Sequence, residues 1–378
     1  MAEAERPNHL LHVFSTFAVG GPQTRFTSIA NALDGRYRHS VLAMDGNHAA
    51  KVGLDPRVDC KFEAMPVVKS GGISLANLRN ARHVLRRLRP NLLCSYNWGA
   101  IEWSLANWVS PVCPQIHIED GFGPDESPDR QQWRRATMRR LFLSRCVHVI
   151  VPSRVLYNVA IEKWRLAESR MLYIPNGIDC ERFAMAPDAA LVSQLGISES
   201  DLIVGTVAAL RPEKNLLRLL RVFAGLPPER PAKLVIVGDG PERARLENEA
   251  ARLAVAHRVV FAGALAAPER ILGRFDVFAL SSDTEQMPNS VLEAMAAGLP
   301  VVATDVGDLE RMLASDNASF VFPTRNEAEM VQGLALLLGD ASLREQLGNQ
   351  NRKKVRAEYS LATMVSRYDE VFEALTSR

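Results

Sequence analysis

Residues Ser281–Asp308 read SSDTEQMPNSVLEAMAAGLPVVATDVGD. One apolar run, Val277–Leu280, leads into this stretch, and a second, Val301–Ala303, follows its centre. Between them Pro288 suits the first position of a helix, Gly298 the residue just past its end, and Pro300 the stop beyond. The spacing predicts strand, loop, a short helix over about Pro288–Ala297, and strand again. Asn289 to Val291 would supply the helix's first free N–H groups, which form a ready site for an anion. Glu285 lies in the loop before the helix and Glu293 a turn and a half inside it. Carboxylates accept hydrogen bonds from two donors at once, which suits sugar and ribose hydroxyls. Spacing alone carries little, since about 1.6 glutamate pairs eight apart arise by chance in a chain this rich in glutamate; the surrounding context carries the weight.

The same alternation extends outward in both directions. Strand candidates are His9–Phe14, Ser40–Met44, Asn91–Tyr96, Val112–Ile118 and Val147–Val151, then Leu202–Val207, Lys233–Val237, Val259–Phe261 and Phe320–Phe322. Helical periodicity falls between them at Gln23–Leu33, Leu75–Leu88, Gln131–Leu143, Leu216–Phe223 and Pro241–Leu253. Continuously apolar strands alternating with helices indicate a parallel sheet covered on both faces. The pattern breaks near Ile174-Pro175-Asn176-Gly177 and starts again at Leu202. With 378 residues, more than one core usually serves, the fold class is α/β with two doubly wound, Rossmann-like domains in tandem.

Ligands of such sheets sit beyond the carboxyl ends of strands. After the first strand come Gly20 and Gly21, which would let the backbone turn tightly and approach a phosphate; an ordinary strand-to-helix turn explains them equally well. His117, Glu119 and Asp120 stand where a strand meets Gly and Pro breakers, placed for proton or hydrogen-bond work on a substrate. A strand histidine satisfied by a neighbouring carboxylate is the alternative. Arg211 and Lys214 follow Leu202–Val207 and suit a diphosphate, as a planar fork and a point charge, though solvated charges before a helix read the same way. Gly238-Asp239-Gly240-Pro241 is another turn into a helix, of weak specificity.

Composition excludes several classes. Lys+Arg of 45 against Asp+Glu of 43 is too balanced for a general nucleic-acid binder. The balance hides a split: residues 1–180 carry net +7 and the remainder −5. Five cysteines without a CxxC pair suit a reducing compartment. The N-terminus, with Glu3 and Glu5, lacks the basic start of a signal peptide, and no run reaches the ~18 apolar residues of a membrane span. The expectation is a cytoplasmic chain. No Asp-x-Asp occurs and His117 has no second histidine at ligand spacing, so no metal site is expected.

Glu285-x7-Glu293 within EQMPNSVLEAMAAGLPVVATDVGD closely resembles the donor-site signature of family 4 retaining glycosyltransferases, which have the GT-B fold. IPNGID (Ile174–Asp179) looks like the segment where those enzymes cross between domains. Gly20-Gly21, His117, Arg211/Lys214 and Gly238–Pro241 fall in the family's order, so the resemblance covers nearly the whole chain. It implies an acceptor-binding domain over 1–178 and a nucleotide-sugar domain over 179–359, facing each other across a cleft. The C-terminal helix, about 360–378, should pack back on the first. By the resemblance Glu293 holds the donor ribose and Glu285 the transferred hexose. Gly238, Met287, Pro288, Asn289, Ser290 and Val291 contribute to donor binding, Lys214 and Arg211 neutralise the diphosphate, and Gly20 and Gly21 close over it. His117 contacts the sugar near the reacting carbon, and Glu119 and Asp120 lie on the acceptor side. Many relatives carry the diphosphate Arg where this chain has Ala209, and Arg211 is taken to substitute. No cofactor is implied beyond the nucleotide-sugar substrate. Retention follows front-face attack, with a phosphate oxygen as proton acceptor.

The basic half has two arginine groups, one over Arg79–Arg89 and one comprising Arg130, Arg134, Arg135, Arg139 and Arg140. A basic, partly apolar helix can lie on an anionic membrane, so Arg134, Arg135 and Arg139 are expected at such a surface, with a glycan or lipid-linked glycan as acceptor. Solvated faces of covering helices are the alternative. Competing readings are a nucleotide-sugar epimerase of the same fold and a non-catalytic partner subunit. A dehydrogenase would need GxGxxG, which is missing.

Overall fold

The computed structural model describes residues 7–67, 73–122, 126–227 and 232–377. Glu3, Glu5 and the Gly123, Pro124 and Asp125 stretch of the His117 segment lie outside the described residues. The chain divides into two compact units: residues up to Asn176 together with those from Ala362 onward, and Gly177–Leu361.

The first unit holds a seven-stranded sheet: β1 (Asn8–Phe14), β2 (Tyr37–Ala43), β3 (Cys60–Glu63), β4 (Leu92–Tyr96), β5 (Gln115–Ile118), β6 (His148–Val151) and β7 (Met171–Tyr173), in the order β3-β2-β1-β4-β5-β6-β7. Every pairing is parallel. Its central strands are buried along their length, as the uninterrupted apolar runs require. The edge strands β3 and β7 were not expected. Cys60–Glu63 reads CKFE and is half-exposed, because an edge strand has only one neighbour and partial cover. Helices α1 (Gly21–Ala32), α2 (Leu75–Leu88), α3 (Glu102–Val109) and α4 (Trp133–Leu143) cover the faces. The C-terminal helix Leu361–Thr376 packs onto this unit. There Tyr37 donates to Asp369 at 2.8 Å, and its ring meets Phe372 edge-on.

The second unit has a six-stranded, wholly parallel sheet: β8 (Leu202–Val207), β9 (Ala232–Val237), β10 (Val259–Gly263), β11 (Val277–Leu280), β12 (Val301–Thr304) and β13 (Val321–Phe322), ordered β10-β9-β8-β11-β12-β13. Strand order reverses between β8 and β11 here, and between β1 and β4 in the first unit. The quoted stretch forms a helix over Asn289–Ala297, with Gly298 left-handed at φ 79° as its stop. Pro288 is the cap rather than the first helical residue: its ψ of 118° is extended, so the helix starts one position later than expected.

That helix is held from behind by Ala341–Glu358. Buried Asn351 donates to Leu299 O and Asn317 Oδ1, and Asn317 bridges both backbone groups of Val301. The two helices approach so closely that a Cβ on Gly348 would sit 1.9 Å from the Gly298 carbonyl oxygen. Gly348→Ala therefore forces the backbones apart, and overpacking of this kind costs about 1–3 kcal/mol. Thermal unfolding should show a lowered melting temperature together with weaker ligand binding at the Asn289 end; an unshifted melting curve would refute the tight-contact account.

Candidate functional site

In the second unit the loops leaving β8 and β11 meet where the strand order reverses, the position at which open α/β sheets leave a crevice. Lys214, after β8, and Glu285, after β11, pair there at 2.5 Å. Ser282 donates to the same Glu285 oxygen at 2.7 Å. The loops are pinned from below. Buried Arg218 donates to the Ser281 carbonyl at 2.7 Å and pairs with Asp283 at 2.7 Å, while Ser281 donates to the Lys214 carbonyl and Thr304 to that of Ser282. Arg211 is separate from this cluster: it is largely exposed and faces Glu213 at 4.0 Å. Sequence reasoning brought Lys214 and Glu285 to one site but missed Ser282, which stands inside the quoted stretch, and Arg218, one turn beyond Lys214.

At the start of the Asn289–Ala297 helix the Val291 amide is already bonded to Pro288 O at 3.1 Å, so it is not free as expected. The amides of Asn289 and Ser290 have no acceptor among the described residues, and the Asn289 Oδ1 is buried without a partner. Met287 and Val291 are core side chains and reach a ligand only through backbone. Gly238 has φ 139°, and a Cβ there would lie 1.9 Å from Ala208 O. Its glycine is thus explained by backbone packing between the ends of β8 and β9.

Glu293 makes no hydrogen bond or ion pair among the described residues, and burial pushes its carboxyl up to about 7. The nearby Arg182 guanidinium offsets part of that, and Glu269 adds to it. Arg182 itself donates to Glu269 at 2.8 Å. It follows Ile174–Asp179 by three residues and carried no motif that singled it out.

In the first unit the expectations need correction. Gly20 is extended at φ −172°, which any residue adopts, and a Cβ on Gly21 meets nothing within 4 Å. The backbone does not demand glycine at either position; a Cβ on Gly20 would meet only the Gln23 side chain, at 2.9 Å from its Oε1. His117 is fully enclosed, with Nδ1 bonded to Ser95 at 2.9 Å and Nε2 to Glu119 at 3.1 Å. Glu119 is equally enclosed. Neither side chain is presented to a ligand, because β5 is a central strand covered on both faces. Asp120 is the exception at this strand end: it is partly exposed, though ion-paired to Arg25 at 2.5 Å.

The α4 arginines divide. Arg139 is wholly buried between the rings of Trp98 and Trp164, at 5.1 and 4.6 Å from their centroids, and pairs with Glu126 at 3.1 Å. Arg135 also leans on Glu126, at 3.4 Å, leaving Arg134, stacked on the exposed Trp133, directed outward. The expectation that Arg139 meets a membrane is overturned: it neutralises a buried carboxylate.

Residues 19–182 match the family described as Glycosyltransferase Family 4, and residues 189–354 match Glycosyl transferases group 1. N-acetyl-alpha-D-glucosaminyl L-malate synthase of Bacillus anthracis is 28% identical over 182 residues, 48% of each chain. The putative glycosyltransferase EpsF of Bacillus subtilis is 36% identical over 144 residues, 37% of each. The chain thus spans about half the length, or less, of these curated relatives. The structure of Anabaena HepE in complex with UDP superposes with a TM-score of 0.81 at 18% identity, covering 97% of this chain and all of that one. At that identity the likeness is one of fold.

The Arg139 environment makes a direct prediction. Arg139→Ala removes the buried partner of Glu126 and leaves it the longer Arg135 contact and the Gln132 amide, a loss approaching the roughly 3–5 kcal/mol cost of breaking a buried pair. Chemical denaturation should register it, with Arg134→Ala leaving the midpoint unchanged; equal midpoints for the two variants would refute the buried assignment.

Proposed function

The chain belongs to glycosyltransferase family 4 with the GT-B fold, and from that we propose that it moves a hexose from a nucleoside diphosphate sugar to an acceptor hydroxyl with retention of configuration. One observation carries the reading. The Lys214–Glu285 pair and the open amides of Asn289 and Ser290 gather at the reversal of one parallel sheet, with the unpaired Glu293 a turn into the helix that follows. Relatives named as glycosyltransferases and a HepE structure containing UDP support a nucleotide-sugar donor.

In this reading the donor diphosphate displaces Glu285 from Lys214. The released carboxylate then accepts hydroxyls of the transferred hexose, helped by Ser282. The Asn289 and Ser290 amides receive phosphate or sugar oxygens, and Glu293 accepts the ribose hydroxyls. Reaction breaks the bond between the anomeric carbon and the diphosphate oxygen, and negative charge grows on the leaving group. Lys214, the exposed Arg211 and the helix-end amides stabilise that charge without a metal ion. The acceptor oxygen bonds to the same face of the anomeric carbon, and its proton passes to a phosphate oxygen of the departing nucleoside diphosphate. The acceptor we assign is a lipid-linked glycan at the cytoplasmic membrane face, in keeping with the basic charge of residues 1–180.

A donor panel tests the reaction: nucleoside diphosphate released only with acceptor supports transfer, and release without acceptor favours epimerisation or hydrolysis. NMR of the product reads the anomeric configuration. Lys214→Ala should lower kcat about 10²–10³-fold, the usual loss on removing one charge-stabilising donor, with turnover insensitive to chelators.

Glu293 supplies a pH test. Its folded carboxyl titrates at about 7, against about 4.3 when unfolded. Between those values the folded chain holds the extra proton, so this group's contribution to stability falls as pH rises and stays low above 7. Glu293→Gln should therefore raise the ligand-free melting temperature at pH 8, by at most about 4 kcal/mol in stability, with little gain at pH 4. Hydroxyl donors favour the carboxylate. Affinity for an intact nucleotide-sugar should fall up to about tenfold per pH unit below 7 in the wild type, and the Gln variant should bind weakly at every pH. Parallel pH profiles for the two proteins would remove Glu293 from the binding site.

A further inference from the structure

Helices α2 and α3 do not close completely on each other. Between them runs a groove of about 500 Å³ lined by Leu75, Leu78, Leu105 and Val109 and bordered by Arg79, Arg82 and Arg86. The spacing within α2 explains it. Asn77, Ala81, Val84 and Leu85 turn inward onto the sheet, so positions 75, 78/79, 82 and 86 fall together on the adjoining stripe. Leu75 is 83% exposed at one wall and Val109 62% exposed at the other. Both walls of the groove thus leave apolar surface open to solvent.

The charge around the groove is one-sided. The α2 segment LANLRNARHVLRRL contains four arginines and no acid. The one acid of α3, Glu102, accepts from the Ser74 amide at 2.9 Å and from Asn77 at 3.3 Å, so it is committed to the start of α2. Arg87 is taken by Glu63 at 2.7 Å. Arg79 and Arg82 have no ion-pair partner among the described residues, and Arg86 has only a long contact to Ser110 at 3.4 Å. An aliphatic floor beneath unpaired guanidinium groups matches an amphiphile with an anionic head and a hydrocarbon body. A nucleic acid or an acidic peptide would satisfy the arginines but would leave the leucine floor uncovered.

We propose that the α2–α3 groove is a docking surface for an anionic phospholipid membrane, with Arg79, Arg82 and Arg86 on lipid phosphates and Leu75 and Val109 entering the acyl boundary. This deepens the lipid-linked acceptor reading and rests on it for its purpose. It also places the contact away from α4, whose Arg139 is interior and whose Arg135 is engaged.

Co-sedimentation with phosphatidylcholine vesicles containing about one-third phosphatidylglycerol tests it, using the full chain. The wild type should bind these vesicles, release from them in high salt and ignore pure phosphatidylcholine. Arg79→Gln/Arg82→Gln/Arg86→Gln together should lose on the order of 100-fold in partitioning, at roughly one kcal/mol per charge near the surface. Leu75→Asp/Val109→Asp, at exposed positions that the fold does not need, should also lose binding with an unchanged melting temperature. Arg134→Gln/Arg140→Gln should retain it. Wild type that fails to bind, or binding that survives both groove variants, overturns the proposal. A dimer in sedimentation velocity that the groove variants dissolve, without vesicle binding, assigns the groove to a second copy and overturns it as well. Nucleotide-sugar binding is measured separately without vesicles, so failure of the donor reading and failure of the membrane reading are told apart.

Discussion

A parallel sheet whose strand order reverses must send its connections to opposite faces on the two sides of the reversal. In the second unit this happens between β8 and β11, so the two strands send their helices to opposite faces while their loops meet at the strand ends. The polar groups gathered there answer one another: Lys214 and Ser282 both contact the partly buried Glu285 carboxylate. What remains is to hold the loops still. Arg218, Ser281, Thr304 and the Asp308 amide do so from beneath, each bonding a backbone carbonyl of the loop after β8 or β11. Gly307 contributes by absence: a Cβ there would fall 2.5 Å from Gln286 O. The site's geometry is thus set by main-chain contacts below it, leaving the side chains above free to exchange partners.

The two glutamates of that site have different surroundings. Glu285 has a cation and a hydroxyl in contact, whereas Glu293 has neither and is pushed toward neutrality by burial. The contrast implies different costs of use. Freeing Glu285 exchanges one anion on Lys214 for another, and because the pair is partly solvated the exchange is shallow. Using Glu293 requires moving a proton, with Arg182 as the nearby charge that limits the penalty. In the proposed reading, donor binding couples to pH through Glu293 and to leaving-group charge through Glu285.

How far this was legible in the sequence depends on burial. The central strands could be read, because a strand covered on both faces must be apolar throughout; β8, β11 and β12 agree with their runs to within a residue. Edge strands β3 and β7 could not, since CKFE and MLY have neither the length nor the composition that two-sided cover imposes. Glu285 and Lys214 were reached because their positions at strand ends are a consequence of topology. His117 shows the limit. A histidine and a carboxylate two residues apart point to the same side of a strand, which is equally compatible with a site and with a closed internal pair. Only the cover on β5 decides, and it gives the closed pair.

The same lesson governs the charge division. Residues 1–180 carry +7, but net charge says nothing of which cations face solvent, and α2 and α4 use theirs differently. In α4 the inward positions include Arg139, and the two tryptophans that stack on it come from outside the helix. Its sequence therefore has no apolar stripe from which the inward face could be told. In α2 the inward face is small and apolar apart from Asn77, so the arginines are forced outward beside Leu75 and Leu78. An interior arginine needs an interior acid, and Glu126 is there to meet Arg139. Arg79 and Arg82 have no such acid among the described residues. On α2 the unanswered charge stands beside the exposed Leu75, and that combination is where an anionic, partly apolar partner for the first unit is to be sought.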